Sequence, residues 1–265
     1  MTDAARALRL AIRNGHHTGL TTGYAPGHVQ ANLVVLPQRY LDDFLAFCYL
    51  NAFACPVLGV ATVGSPYIPA LGMDLDVRTD LAGYQIHRFG SQGQEAANIV
   101  SVWRDDLVSV AIGCWFSMED ALLAAGVRLR HVELGIQGPL FTTAVQTCSK
   151  GIFGGPLVVS MRPFAKESVA TVTKVTQRFP RVHGGPIHAG DPAVLGIGDI
   201  SQPDFGELLM PLPSEVPMYW GCGLTATTAL QRSGVNFFMT HAPGKMLVTD
   251  LLNASFETEP ESNHA

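Results

Sequence analysis

N-L-V-V-L-P-Q-R-Y-L-D-D-F-L-A-F-C-Y-L-N, residues 32–51, runs an unbroken apolar segment straight into an amphipathic one. Asn32 to Leu36 is short, branched and apolar, which predicts a buried strand. From Gln38 to Asn51 the residues Tyr40, Phe44, Phe47 and Cys48 fall on one helical stripe, which predicts a helix with a buried face. The unit recurs outward from here. Val57 to Val63 is a second apolar run, and Tyr84 to Arg88 alternates like a strand with His87 turned to solvent. Val216 to Trp220 is a strand, Thr225 caps a helix over 226–233, and Asn236 to Thr240 is another strand. Strands alternating with helices predict an α/β protein with a three-layer α/β core. Between them, residues 116–180 read helix-strand-strand-strand-helix, a smaller two-layer α+β unit. The expected division is therefore 1–115 with 181–265 as the main domain, 116–180 as the smaller one, and a ligand cleft between them.

Composition narrows the function. The chain has 265 residues, enough for one large domain or two smaller ones. Hydrophobic residues make up 47% and charged residues 15%, the balance of a compact chain and not of a disordered one. A net charge of -5 gives no basic face for nucleic acid. No apolar run reaches membrane-spanning length, and no secretory h-region opens the sequence. Five cysteines without a C-x-x-C pair point to free thiols in a reducing cytoplasm. The 16–28 stretch lacks P-loop spacing; it reads as a surface connection or as a loop whose hydroxyls and amides bind an anion. Gly196-Ile197-Gly198-Asp199 lacks the third glycine of a dinucleotide fingerprint. Residues 253–265 are polar and acidic and read as disordered.

The candidate chemistry centres on H-G-G-P-I-H-A-G-D-P, 183–192, a shaped loop carrying His183, His188 and Asp191. Two imidazoles and a carboxylate can move protons, or form a two-His, one-carboxylate metal set. Arg128 to Leu134 reads as a strand that projects His131 and Glu133 together, as a surface ion pair or an acid/base unit. Arg162, beyond the end of a strand over 156–161, is either a bidentate carboxylate grip or an ordinary surface residue. In W-R-D-D-L-V, 103–108, the Asp pair suits the start of an apolar helix, or Arg104 and Asp105 line the cleft. Ser117 begins a helix through Ala125, with Asp120 completing its cap. Cys222 and His241 follow strand ends, where α/β proteins meet ligands. Cys114 or Cys222 with a histidine would make a nucleophile pair.

Taken together, these segments resemble the D-glutamate cyclase family, also labelled hydro-lyases. The resemblance rests on H-T-G-x-T-x-G-x-A-P-G-x-V-Q-A-N-L-V-x-L-P (17–37), W-R-D-D-L-V (103–108), G-C-x-F-S (113–117), V-S-M-R-P (159–163), H-G-x-P-x-H-x-G-D-P (183–192) and T-H-A-P-G-x-M (240–246), in the family's order over nearly the whole chain. It implies a cytoplasmic protein of two α/β parts that eliminates water from a small carboxylate or amino-acid substrate; for the named activity, D-glutamate closes to 5-oxo-D-proline. The expected chemistry needs no cofactor. His188 serves as base or acid, Asp191 or Glu133 fixes its tautomer, and Arg162 holds a carboxylate. A metal-assisted dehydratase at His183, His188 and Asp191, a Cys-nucleophile enzyme and a non-catalytic carboxylate binder stand as alternatives. A homo-oligomer is compatible with all of them. Where the family tends to show P-M-Y-R-T-N, this chain has Pro139-Leu140-Phe141-Thr142-Thr143-Ala144, without the Arg and Asn.

Overall fold

The computed structural model describes residues 4–88 and 93–258. It is a mixed α/β fold built on two antiparallel sheets. The first contains β1 (His28–Pro37), β2 (Val57–Val60), β3 (Tyr84–Arg88), β4 (Gln94–Ala96), β5 (Leu107–Gly113), β10 (Phe237–His241) and β11 (Leu247–Leu252), in the order β2-β5-β1-β10-β3-β4, with β11 also on β1. The second contains β6 (Leu140–Gln146), β7 (Pro156–Ala165), β8 (His188–Ala189) and β9 (Glu215–Gly221), in the order β6-β7-β9-β8.

β1 is central because it is apolar on both faces. Val29, Ala31, Leu33 and Val35 pack into one core, and Val34 and Leu36 into another. One edge of β1 pairs with β5 over its full length, from Ala31↔Gly113 to Pro37↔Leu107. The other edge is shared in sequence by β11 and β10. Both cores also take residues from the second sheet: Met218 and Trp220 enter the first, Met161 and Tyr219 the second. The helix expected after β1 is α2 (Leu41–Leu50), entered through a 3-10 turn over Gln38–Tyr40; its Phe44, Phe47 and Cys48 are buried as the stripe requires. Each such phenylalanine contributes about 1.5–3 kcal/mol of transfer free energy.

Several local expectations are corrected. The Asp105–Asp106 pair precedes strand β5, not a helix; all seven β5 residues are buried, and a buried apolar run of that length suits either element. Residues 130–134 form α4 (Arg130–Leu134), not a strand; Gly135 at φ 65° closes it with a left-handed cap. Ser117 does not cap α3 (Glu119–Ala124), because its hydroxyl bonds the Gln30 backbone. Thr225 lies inside α6 (Leu224–Arg232), not at its cap, and bridges to Val158. The helix expected at 166–178 is α5 (Val169–Gln177) after a 3-10 turn. Residues 253–256 form an ordered 3-10 turn with Asn253 and Phe256 buried, whereas 259–265 lie outside the described residues.

α1 (Ala4–Arg13) docks beside β11 through a buried cation. Arg9 is fully buried, donates to Val248 O at 3.1 Å, and pairs with Asp74 at 2.8 Å and Asp250 at 2.6 Å. Asp80, also fully buried, sits 3.8 Å from Arg9 and pairs with Arg13.

Candidate active site

A cavity of about 250 Å³ opens where the sheets meet. Strand alternation supplies one wall: on β3, Gln85 and His87 are two residues apart and share a face. Thr240 of β10 pairs with Gln85, and all three line the cavity. Asn32 of β1 faces it too, its amide donating to Gly113 O at 2.7 Å. The second sheet supplies the opposite wall through Ser160 and Arg162, again two apart on one strand. The 3-10 turn after β5 brings Cys114, Trp115 and Phe116, and the entry to α6 brings Cys222 and Leu224.

Arg162 is the dominant charge. It lies inside β7, not beyond a strand end, because β7 continues through Pro163, which pairs with Pro217. It is 2% exposed. Its two terminal nitrogens donate to Met161 O at 2.8 Å and Gln137 O at 2.6 Å, and the guanidinium stands 5.1 Å from the Trp115 ring centre. Burial lowers its pKa to about 10, against the opposing pull of Glu119, so it remains charged at neutral pH. Gly138, at φ 82°, makes room: a Cβ there would lie 2.9 Å from the guanidinium. Arg162 Nε, Ser160 Oγ and Trp115 Nε1 are buried and have no hydrogen-bond partner among the described residues. Buried donors are normally paired, so three orphans on residues lining one cavity mark it as built for an acceptor.

Two imidazoles share this cavity in opposite tautomers. His183 ends a 3-10 turn at φ 93°, ψ -16°, a left-handed conformation that, among the described non-glycine residues, only Ala25 shares in sign. Such strain persists where the surroundings impose it, and it collects at functional sites. Its Nδ1 lies 3.1 Å from Phe53 O, an atom that can only accept; the proton is on Nδ1 and the lone pair on Nε2. His241 is the reverse. Its Nδ1 lies 3.2 Å from Leu33 N, nearer than Leu33 O at 3.4 Å, so Nδ1 accepts and Nε2 carries the proton. Burial depresses both pKa values to about 4, which keeps both rings neutral. His87, expected in solvent, is half-buried and stacked on Phe238 at 4.4 Å. Burial pushes the Cys222 thiol up to about 11 and the Cys114 thiol higher still, so neither is a ready thiolate.

Of the catalytic and substrate-binding candidates read from the sequence, His183, Arg162, His241, Cys114 and Cys222 line this cavity, whereas His188, Asp191, Glu133, Arg104 and Asp105 do not. His188 lies on edge strand β8, stacked on Tyr219, with Nε2 2.8 Å from Asp191 O. Asp191 caps the following turn through Ala193 N. Glu133 is exposed and paired with Arg128 at 2.7 Å, and the helix turns it away from His131. Arg104 is exposed and paired with Asp106 at 2.8 Å, while the Asp105 backbone packs against Gly64. Among the described residues no three His, Cys, Asp or Glu side chains are arranged to hold a metal ion, and His183 does not join His188 and Asp191. Thr142 and Ala144, where the family's Arg and Asn are missing, do not line the cavity; the Thr142 amide donates to Asp204 at 2.6 Å.

The sequence reading missed Glu119. It is 4% exposed and accepts from Thr22 Oγ1 at 2.8 Å, Gly23 N at 3.0 Å and His131 Nε2 at 2.9 Å. The 16–28 loop does bind an anion, then, and the anion is the protein's own. His131 in turn sets its ring against Trp115, with centroids 5.4 Å apart, so Glu119, His131, Trp115 and Arg162 form one buried stack behind the cavity. Ser160 was also missed, although it stands two residues before Arg162 in V-S-M-R-P and a longer strand would have exposed the pair.

Comparison with known proteins agrees with these segments. A family model described as D-glutamate cyclase matches residues 108–250. A protein of Azorhizobium caulinodans named "Putative hydro-lyase" is 46% identical over 253 residues, covering 96% of this chain and 93% of that one. Proteins with the same description from Bordetella petrii and Rhizobium johnstonii are each 47% identical, over 96% and 94% of this chain and 96% and 93% of theirs. Among solved structures, a nitrogen repressor-like protein from Methanococcus jannaschii aligns at a TM-score of 0.39 and 10% identity, over 93% of this chain and 98% of that one, too distant to bear on the site.

Proposed function

The chain belongs to the D-glutamate cyclase family, and from that premise we propose that it is a hydro-lyase whose cavity closes D-glutamate to 5-oxo-D-proline with loss of water. The observation that carries this reading is a buried, charged Arg162 with an orphan Nε, in one cavity with two neutral histidines of opposite tautomer. Arg162, helped by Ser160 Oγ and Trp115 Nε1, holds the α-carboxylate. The amine and the γ-carboxyl then lie in one bound molecule, and folding it correctly supplies much of the rate. The amine nitrogen attacks the γ-carboxyl carbon. A C–N bond forms, the amine proton passes to His183 Nε2, and a C–O bond breaks as the leaving hydroxyl takes that same proton back from His183 and departs as water, which returns the ring to its neutral form. The Nε2–H of His241 is the donor for the developing oxyanion. Both thiols are held protonated, which weighs against a cysteine nucleophile.

No helix among the described residues is long and apolar enough to cross a membrane. The five unpaired cysteines suit a reducing cytoplasm, where we place the enzyme. The test is direct. Purified protein is incubated with D-glutamate, L-glutamate or 5-oxo-D-proline and followed by NMR. Interconversion of the D-compounds is expected, with a loss of at least about a hundredfold in His183→Asn, since Asn tolerates a left-handed backbone. Unchanged turnover in that variant would remove His183, and no interconversion of any compound would remove the reaction.

A further inference from the structure

The described residues lining the cavity supply one cation and no anion. Arg162 is the sole Lys or Arg among the described lining residues, and none of them is Asp or Glu. Residues 89–92 read Phe-Gly-Ser-Gln in sequence and add no charge. The other titratable groups facing the cavity are His87 from β3, Cys114 after β5, His183 before β8, Cys222 after β9 and His241 on β10. Burial lowers the histidines and raises the thiols, so all five are neutral near pH 7. Two carboxylates outside the lining also act on Arg162: Glu119, behind Trp115 and bonded by Thr22, Gly23 and His131, and Glu207, which accepts from the Gln137 amide at 3.0 Å; their pull is smaller than the burial that lowers Arg162. Away from Arg162 the wall offers neutral amides and hydroxyls, among them Asn32, Gln85, Gln231 and Thr240.

A buried charge is tolerated only when it is paired. We infer that the cavity selects monoanions by charge count: one carboxylate on Arg162, and a tail that is neutral or neutralises itself. This rests on the proposed reaction and names the form in which its reactants bind. 5-Oxoproline meets the requirement as it stands, with one carboxylate and a neutral lactam. Glutamate meets it only by folding its ammonium onto its γ-carboxylate. In a site with no other partner for either charge, the proton moves from nitrogen to oxygen and leaves a free amine beside a neutral carboxylic acid, the pair that cyclisation needs. A ligand with an uncompensated tail charge is rejected. Glutarate carries a second carboxylate, and proline a lone ammonium.

Calorimetric titration of the full chain tests this with 5-oxo-D-proline, D-glutamate, glutarate and D-proline at neutral pH. 5-Oxo-D-proline is expected to bind at least tenfold more tightly than D-glutamate and at least a hundredfold more tightly than glutarate or D-proline. Glutarate or D-proline binding within threefold of 5-oxo-D-proline would overturn the inference, as would no binding by any of the four. Gln231→Glu, an isosteric change at an exposed lining position that puts no core packing at risk, adds the missing anion. It is expected to improve D-proline binding at least fivefold and to weaken 5-oxo-D-proline; no change in their ratio counts against the inference. The two readings fail separately. The stated binding order without interconversion sinks the proposed reaction and keeps the charge rule, whereas interconversion with tight glutarate binding does the reverse.

Discussion

Gly113→Ala tests how the fold holds its candidate base. Gly113 ends β5, and its backbone is fixed on both sides: its N–H donates to Pro56 O at 2.8 Å and its carbonyl accepts from Asn32 at 2.7 Å. A Cβ here would sit 2.5 Å from Arg181 O and 3.1 Å from Val182 Cα. An unstrained C···O contact needs about 3.3 Å, so the 181–182 segment must retreat by roughly 0.8 Å. His183 is the next residue and already sits at φ 93°, with little freedom to absorb the shift. Overpacking of this kind costs about 1–3 kcal/mol, and a displacement approaching 1 Å at a catalytic group costs roughly tenfold to a hundredfold in rate. The control is Gly126→Ala, at φ 76° with nothing within 4 Å. It carries a backbone cost of about 1–2 kcal/mol and no effect on turnover, because no described residue from 117 to 136 lines the cavity. Urea melts give the stability change, NMR of the His183 ring gives its displacement, and turnover of D-glutamate gives the rate. A Gly113→Ala protein within about 0.5 kcal/mol of wild type, with unmoved His183 signals, would refute the reasoning.

Three further outcomes are expected. Arg162→Gln should weaken carboxylate binding by about a hundredfold or more, and Arg162→Lys should not restore it, because lysine lacks the planar fork; titration with 5-oxo-D-proline checks both, and full rescue by Lys would reduce Arg162 to a point charge. His183 and His241 stay neutral in the folded chain down to about pH 4, whereas unfolded histidine titrates near pH 6.5. The unfolded chain therefore binds more protons between these limits, so their contribution is fully present above about pH 6.5 and falls as pH drops, by up to about 1.4 kcal/mol per pH unit for each ring. Urea melts across that window should show a shallower slope in His241→Asn, and an unchanged slope would contradict the neutral assignment. Iodoacetamide near neutral pH should label the exposed Cys148 before the buried or protonated thiols and leave turnover intact; mass spectrometry locates the label, and early inactivation with label on Cys222 would revive the cysteine nucleophile.

What could be read from the sequence follows from which interactions are local. β1 and α2 were legible because 32–51 switches from an unbroken apolar run to a helical stripe within a few residues. Arg162, His183, His241, Cys114 and Cys222 stand out in the sequence by type and context, and the fold brings them to one cavity, a convergence that no local pattern encodes. R-L-R-H-V-E-L fits either period, and only Gly135 just beyond it, a helix stop, decides the face on which Glu133 falls. The 183–192 loop does not act as one wall: His183 lines the cavity at its left-handed kink, whereas β8 carries His188 to a sheet edge. Glu119 and His131 were unreadable as a pair, since 12 residues and a turn separate them and only the fold closes the contact.

The buried Arg9 bears on how the chain tolerates trimming. Asp80 is sealed from water, and its cations both come from the opening helix. Cutting that helix away would strand a carboxylate in a dry interior, with Asp74 and Asp250 losing the same neutralising side chain. A shortened chain is then expected to take up protons on these acids or to open the β11 edge to water, so a ten-residue segment that lines no part of the cavity acts as the lock on the sheet beside it.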